Sequence, residues 1–198
     1  MLTTSFFQRD VLVVARELIG VELVWRGSSG LIVETEAYAA EGDDACHVAT
    51  RPSARQFIQE TDAGSAYVYL NYGMYWLFNL LVKGGPRDGL ILIRALEPED
   101  GIAEMQSRRQ KQLLHELCSG PGKLAVALGI TGADHATPMV GPKRPADVGL
   151  RRNLVSPSDV AEDVRVGISK AVDYPWRFLH PASRHVSVPL GKVKPLKA

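Results

Sequence analysis

Apolar residues recur at helical spacing near the start of the chain. Phe7, Val11, Val14, Ala15 and Leu18 fall on one face and Gly20 follows as a stop, so an amphipathic helix is predicted over 7–19. Residues 21–25 read as a short strand and 26–30 as a turn. Over 31–38 the pattern alternates, with Glu34, Glu36 and Tyr38 on one face and Val33, Thr35 and Ala37 on the other. Residues 67–79 hold six of the fourteen aromatic residues and read as a hairpin. Val68 and Leu70 face one way, Tyr67 and Tyr69 the other, and a turn at 71–73 leaves Tyr72 at the tip. A Gly-rich turn at 84–89 precedes an apolar strand over 90–96. The acids and proline at 97–100 predict a helix start, with Arg108 and Arg109 near that helix's C-terminal end. Residues 119–123 read as the start of a helix continuing over 124–128. Residues 132–160 read as a long loop, 165–168 as a short strand, 174–178 as a packed segment and 192–198 as a basic, disordered tail. With no internal repeat and no linker, residues 1–198 are expected to form one domain.

Several positions on this frame carry chemistry. Tyr72 either folds back on the scaffold or enters a partner, because a large aromatic at a tip cannot reach its own core. Asn79 shares a face with Tyr75, Leu77 and Leu81, so its amide needs backbone or a ligand to bond. Glu34 and Glu36 resist joint ionisation if both are desolvated, which would make one a usable general base; a solvated edge strand is the plainer alternative. Arg94 interrupts an apolar run and requires a carboxylate or phosphate, with Glu36 or Glu34 the economical partner. Asp43 and Asp44 ahead of His47 could be metal ligands, although no H-E-x-x-H or Cys-x-x-Cys spacing supports them. Arg51 and Arg55 lie in an irregular, basic stretch that reads as a loop, and either hold phosphates or are solvated. The N–H groups near Lys123 could accept a phosphate, but the spacing is not that of a Walker A loop.

Composition narrows the choices. At 198 residues and 45% apolar content the chain can bury a full core. Two cysteines do not make a secreted disulfide framework, which points to a reducing cytoplasm. No uncharged apolar run reaches 18 residues, and the N-terminus lacks a signal-peptide pattern, so no membrane association is expected. A net charge of +1 leaves nucleic-acid contact to local clusters.

The blocks GLIVETEAY, DDACH, RPSAR, YVYLNYGMYWLFN, LIRALEP, LCSGPGKLAVALGI and RVGI, in that order, closely resemble the alkyladenine (3-methyladenine) DNA glycosylase family over roughly residues 8–188. The resemblance implies an α+β fold: one mixed domain with a curved antiparallel β-sheet, flanking helices and a protruding hairpin that intercalates in DNA. It implies a monomer that needs no metal or cofactor. Such an enzyme flips alkylated or deaminated purines out of duplex DNA and hydrolyses their N-glycosidic bond, without cutting the strand. By the same resemblance Glu36 is the general base, and Arg94 and the Val166 carbonyl hold the attacking water. Tyr38, Ala45, His47 and Tyr69 form the base pocket, Asn79 bars guanine's exocyclic amine, Tyr72 is the wedge, and Arg51 and Arg55 contact phosphates. The chain departs from the family pattern at Ser53, at 56–58, at 76–78 and at 181–185. Two other classes stay open: a non-catalytic nucleic-acid-binding module using the same hairpin, and a metal-dependent hydrolase built on Asp43, Asp44 and His47.

Overall fold

The computed structural model describes residues 1–152 and 159–194; part of the 132–160 loop and the 195–198 end of the predicted tail lie outside the described residues. The Asp10 carboxylate accepts the Leu12 N–H at 2.8 Å and caps helix α1 (Val11–Glu17). The cap sets the helix start later than periodicity predicts, and Phe7 ends a 3-10 turn, Thr4–Phe7, with its ring fully buried.

Strands β1 (Glu22–Trp25) and β2 (Ser28–Ala39) pair around a tight turn at Arg26 and Gly27, so residues 28–30 belong to the strand rather than to the predicted turn. The basic stretch after His47 is not irregular: it forms two helices, α2 (His47–Thr50) and α3 (Pro52–Glu60). Pro52 stands in the first turn of α3, where a missing N–H costs nothing. Strands β3 (Ala66–Asn71) and β4 (Tyr75–Val82) are antiparallel neighbours, followed by β5 (Gly89–Pro98). Because Pro98 pairs with Gly30, residues 97 and 98 extend the sheet. Helix α4 (Ile102–Arg109) therefore opens only after Gly101, not at the acids before it. Helices α5 (Leu114–Leu117) and α6 (Pro121–Leu128) follow. The predicted 132–160 loop contains a 3-10 turn, Gly132–Asp134, and strand β6 (Val148–Arg151) on the edge of β1. Strand β7 (Ala161–Asp163) precedes residues 165–168, which bend instead of forming the predicted strand, and β8 (Arg177–Leu179) pairs with both β7 and β2.

The antiparallel sheet runs β3-β4-β5-β2-β1-β6, with β8 sharing an edge of β2 with β1. One face carries the main core, in which α1 and α6 cover Trp25, Phe78, Leu80, Ile91 and Ile93. A smaller cluster lies on the other face, where Phe57 and Ile58 of α3 meet Tyr67, Leu81 and Leu90. Register shifts at the same level of β2 and β5 leave Val33 and Arg94 without direct partners. Each shift changes the parity of its strand. Ile32 and Ala37 both enter the main core though five apart, and so do Ile93 and Leu96, three apart.

Candidate active site

Strand register assembles the site on the face opposite the main core. Tyr67 pairs with Asn79, Asn79 with Leu92, Leu92 with Glu36, and Glu36 with Arg177, so one row crosses five strands. Directly paired residues share a face with Cβ atoms about 5 Å apart. The adjacent row adds Leu90 opposite Tyr38.

Glu36 is completely buried, which excludes the solvated edge strand. Three donors converge on its carboxylate: the Val166 N–H at 2.6 Å on Oε1, and the Tyr38 hydroxyl at 2.7 Å with Arg94 Nη1 at 3.1 Å on Oε2. That set matches an acceptor-only group. Val166 thus meets Glu36 through its N–H. Burial, and then the neighbouring Glu36 charge, push the Tyr38 hydroxyl well above its ordinary range, so it remains a donor. Burial works against the Arg94 charge, but Glu36 and Glu34 more than offset it and hold the guanidinium protonated. Arg94 pairs with both acids, at 2.9 Å to Glu34 and 3.1 Å to Glu36, so the two carboxylates share a cation.

In front of this cluster lies a cavity of about 360 Å³, lined by Tyr38, Ala45, His47, Tyr69, Asn79, Arg94 and Val166 among others. Small-ligand pockets run roughly 300–1,000 Å³. Tyr72 stands at its rim and is 83% exposed. Its φ of 49°, with 69° at Gly73 and a 3.0 Å bond from the Met74 N–H to the Asn71 carbonyl, marks a turn with both central residues left-handed. Such a turn suits the twist of paired strands, yet a tyrosine in that conformation stores about 1 kcal/mol or more of strain. Behind the tip, Gly122 of α6 packs on Tyr75; an added Cβ would lie 3.0 Å from the Tyr75 Cβ. Asn79 donates through Nδ2 to the Tyr67 carbonyl at 3.1 Å, the backbone alternative among those open from the sequence. His47 meets the Tyr69 ring edge-on, with centroids 4.3 Å apart. The Arg51 guanidinium lies 5.4 Å from the centre of the Tyr69 ring. Arg55 donates to the Val48 and Ala49 carbonyls at the end of α2, at 2.7 and 3.1 Å.

Burial, reinforced by Arg51, lowers His47 from its ordinary 6.5 to about 4, so the imidazole is neutral at physiological pH. The unfolded chain binds the extra proton between those values. His47 therefore contributes stability that is complete above about pH 6.5 and is lost as the pH falls towards about 4. In thermal unfolding followed from pH 7 to 4, His47→Gln should flatten the decline across that window. An unchanged slope would show that His47 is not the group responsible.

Two charged residues were missed as parts of the site. Arg165 is buried and holds Asp43 in a two-pronged pair at 2.6 and 2.8 Å; it also donates to the Ala37 carbonyl at 3.0 Å. Its guanidinium lies 4.7 Å from the Tyr38 ring centre, immediately before Val166 in sequence. Asp43 in turn accepts from the Ala39 and Ala45 N–H groups at 3.2 and 3.1 Å. Asp43, weighed as a metal ligand, is instead committed to Arg165, and among the described residues no group of three or more His, Cys, Asp or Glu is placed to hold an ion. Arg177, also missed, is fully buried within an apolar strand. The signal that drew attention to Arg94, a guanidinium in an apolar run, was present there too. Cys46 and Cys118 are free and buried, and burial pushes their thiols up to about 11 and about 12. Among the described residues no helix is long and apolar enough to cross a membrane.

The proteins that this chain is similar to place it in the class of DNA glycosylases. The family model described as Methylpurine-DNA glycosylase (MPG) matches residues 5–184. Proteins provisionally designated 3-methyladenine DNA glycosylase are similar along nearly their whole length. One from Rhodopseudomonas palustris (strain ATCC BAA-98 / CGA009) is 44% identical, covering 97% of this chain and 90% of the relative. Others from Bradyrhizobium diazoefficiens and Agrobacterium fabrum are 42% and 43% identical, over 96% and 92% of this chain and 92% and 90% of theirs. The chain belongs to the methylpurine-DNA glycosylase family.

Proposed function

We propose that the protein removes alkylated or deaminated purines from duplex DNA by hydrolysing the bond between base and C1′, acting as one unit over residues 1–198 in the cytoplasm. The observation that carries this reading is a buried carboxylate, bonded to Tyr38, Arg94 and Val166, directly behind an aromatic cavity with an exposed tyrosine at its rim.

A base inside a duplex cannot reach the cavity, so the nucleotide must swing out, at a cost of a few kcal/mol. Tyr72, held on a stiff turn, offsets part of that cost by filling the vacated stack. In this reading Arg51 and Arg55 contact the phosphates. The purine enters among Tyr38, His47 and Tyr69, where base–aromatic stacking is worth about 1–3 kcal/mol per base. A cationic alkylated purine gains further from electron-rich tyrosine faces. Neutral His47 can donate through one ring nitrogen and accept through the other, which suits neutral lesions such as hypoxanthine. Asn79, its Nδ2 fixed on Tyr67, presents a rigid edge against a guanine amine.

The three present donors fill three of the roughly four acceptor sites of the Glu36 carboxylate, which leaves one on Oε1 for water. Glu36 then takes a proton from the water, whose oxygen bonds to C1′ while the C1′–N bond breaks and its electron pair leaves with the base. The Val166 carbonyl and Arg94 hold the water. Among the described residues no lysine lines the cavity, so an abasic site in an uncut strand is the expected product.

The deciding experiment measures base release from duplexes carrying 3-methyladenine, 7-methylguanine, hypoxanthine or ethenoadenine. Release of at least one is expected, without nicking. Salt-sensitive lesion binding with no release would instead support a binding module. Tyr72→Ala should lower release from duplex by roughly tenfold or more, equivalent to about 1.4 kcal/mol of lost wedge, and from single strands by less than about threefold. Equal losses on both substrates would remove Tyr72 from that role.

A further inference from the structure

Arg94 is held on three sides. Its Nε donates to Glu34 at 2.9 Å, its Nη1 to Glu36 at 3.1 Å and its Nη2 to the Ser187 hydroxyl at 3.1 Å. Ser187 lies after β8, and it also grips Glu34 from both of its own donors, with N–H to Oε2 at 2.5 Å and hydroxyl to Oε1 at 2.9 Å. Arg177 completes the enclosure from the far side, with Nη1 2.8 Å from Glu34 Oε1 and Nη2 2.7 Å from Asp163. The same segment is tied to those charges twice more: the Val188 carbonyl accepts from Arg177, and the Gly191 N–H donates to Asp163, both at 2.8 Å.

A free guanidinium beside a carboxylate tends to close into a two-pronged pair, which is the stronger arrangement. Closing on Glu36 in that way would, with the Val166 and Tyr38 donors already in place, fill all of its acceptor sites and leave none for a water. Here the other two nitrogens are already committed, so Arg94 touches Glu36 through one nitrogen only.

We propose that Ser187 is a positioning residue for Arg94: together with Glu34 it keeps the guanidinium on one oxygen of Glu36, so that the carboxylate stays open to the attacking water. The C-terminal segment is in this way part of the catalytic machinery, although Ser187 touches neither the base nor the water. The inference rests on the proposed hydrolysis, and it adds a residue from outside the resemblance blocks.

Single-turnover release under saturating enzyme, alongside DNA binding, tests it with three variants. Ser187→Ala should slow the chemical step roughly fivefold to tenfold while the Kd for lesion DNA changes less than about twofold. Ser187→Thr should recover to within about threefold of wild type, whereas Ser187→Val, nearly the same shape without the hydroxyl, should not. The Thr and Val variants share any packing defect, so their rate ratio isolates the hydroxyl even if both melt lower. An unchanged rate in Ser187→Ala, or equal rates in Ser187→Thr and Ser187→Val, with an active wild type overturns the inference alone. A wild type that releases no base overturns the hydrolytic reading, and this inference with it.

Discussion

Glu36→Gln is expected to abolish base release, by roughly a thousandfold or more in single-turnover rate, while duplex binding stays within about threefold. General-base catalysis accounts for about 10²–10⁴ in rate, and the amide cannot take up the water's proton. The geometry adds a second consequence. Both oxygens of Glu36 face donors, Val166 on one and Tyr38 with Arg94 on the other, so an amide NH₂ must meet another donor in either orientation. A mismatch of that kind at a buried site costs about 1–3 kcal/mol. Release should therefore vanish and the melting temperature should also drop. Retained release, measured on a lesion the wild type processes, would remove Glu36 from the mechanism however stable the variant.

The largest stability effect is expected at Arg165. Removing one member of a buried ion pair costs about 3–5 kcal/mol, because the remaining charge has no partner. Arg165→Met should unfold at markedly lower urea, since it leaves Asp43 buried with only two backbone N–H groups. Arg165→Met combined with Asp43→Asn should recover part of the loss. The pair also connects the strand carrying Tyr38, the loop carrying Ala45 and the backbone at Val166, so the partly rescued double variant should still release bases slowly. A single variant within about 1 kcal/mol of wild type would show that the pair contributes little to holding these walls.

The parts of the site legible in the sequence were those whose signal is local. Alternation placed Glu34, Glu36 and Tyr38 on one face, and the three are linked through Arg94 and the Tyr38 hydroxyl. The Arg94 requirement followed from burial cost alone, and both candidate acids meet it. Asn79 found backbone, one of the two partners weighed for it. Local signals failed where competing hydrogen bonds decided. Asp10 moved a helix start, Gly101 delayed another, and Pro98 stayed in the sheet because Gly30 was there to pair with it. The helix pair at 47–60 was hidden by a basic, Pro-containing sequence whose buried face, Ala54, Phe57 and Ile58, is short.

What the sequence by itself determined was the chemistry available: an acid, an arginine and tyrosines at strand spacing, with a glycine turn that must project its neighbour. Strand periodicity and the cost of burying charge operate over a few residues, so they can be read along the chain. Tertiary structure alone decided the arrangement. Register across five strands put Tyr67, Asn79, Leu92, Glu36 and Arg177 in one row, and matched shifts in β2 and β5 set Arg94 between two acids. Arg165 and Ser187, more than 120 residues from the groups they hold in one case and more than 90 in the other, completed the cage. Pairings at such separations depend on how the whole sheet closes, and no short stretch of sequence encodes that.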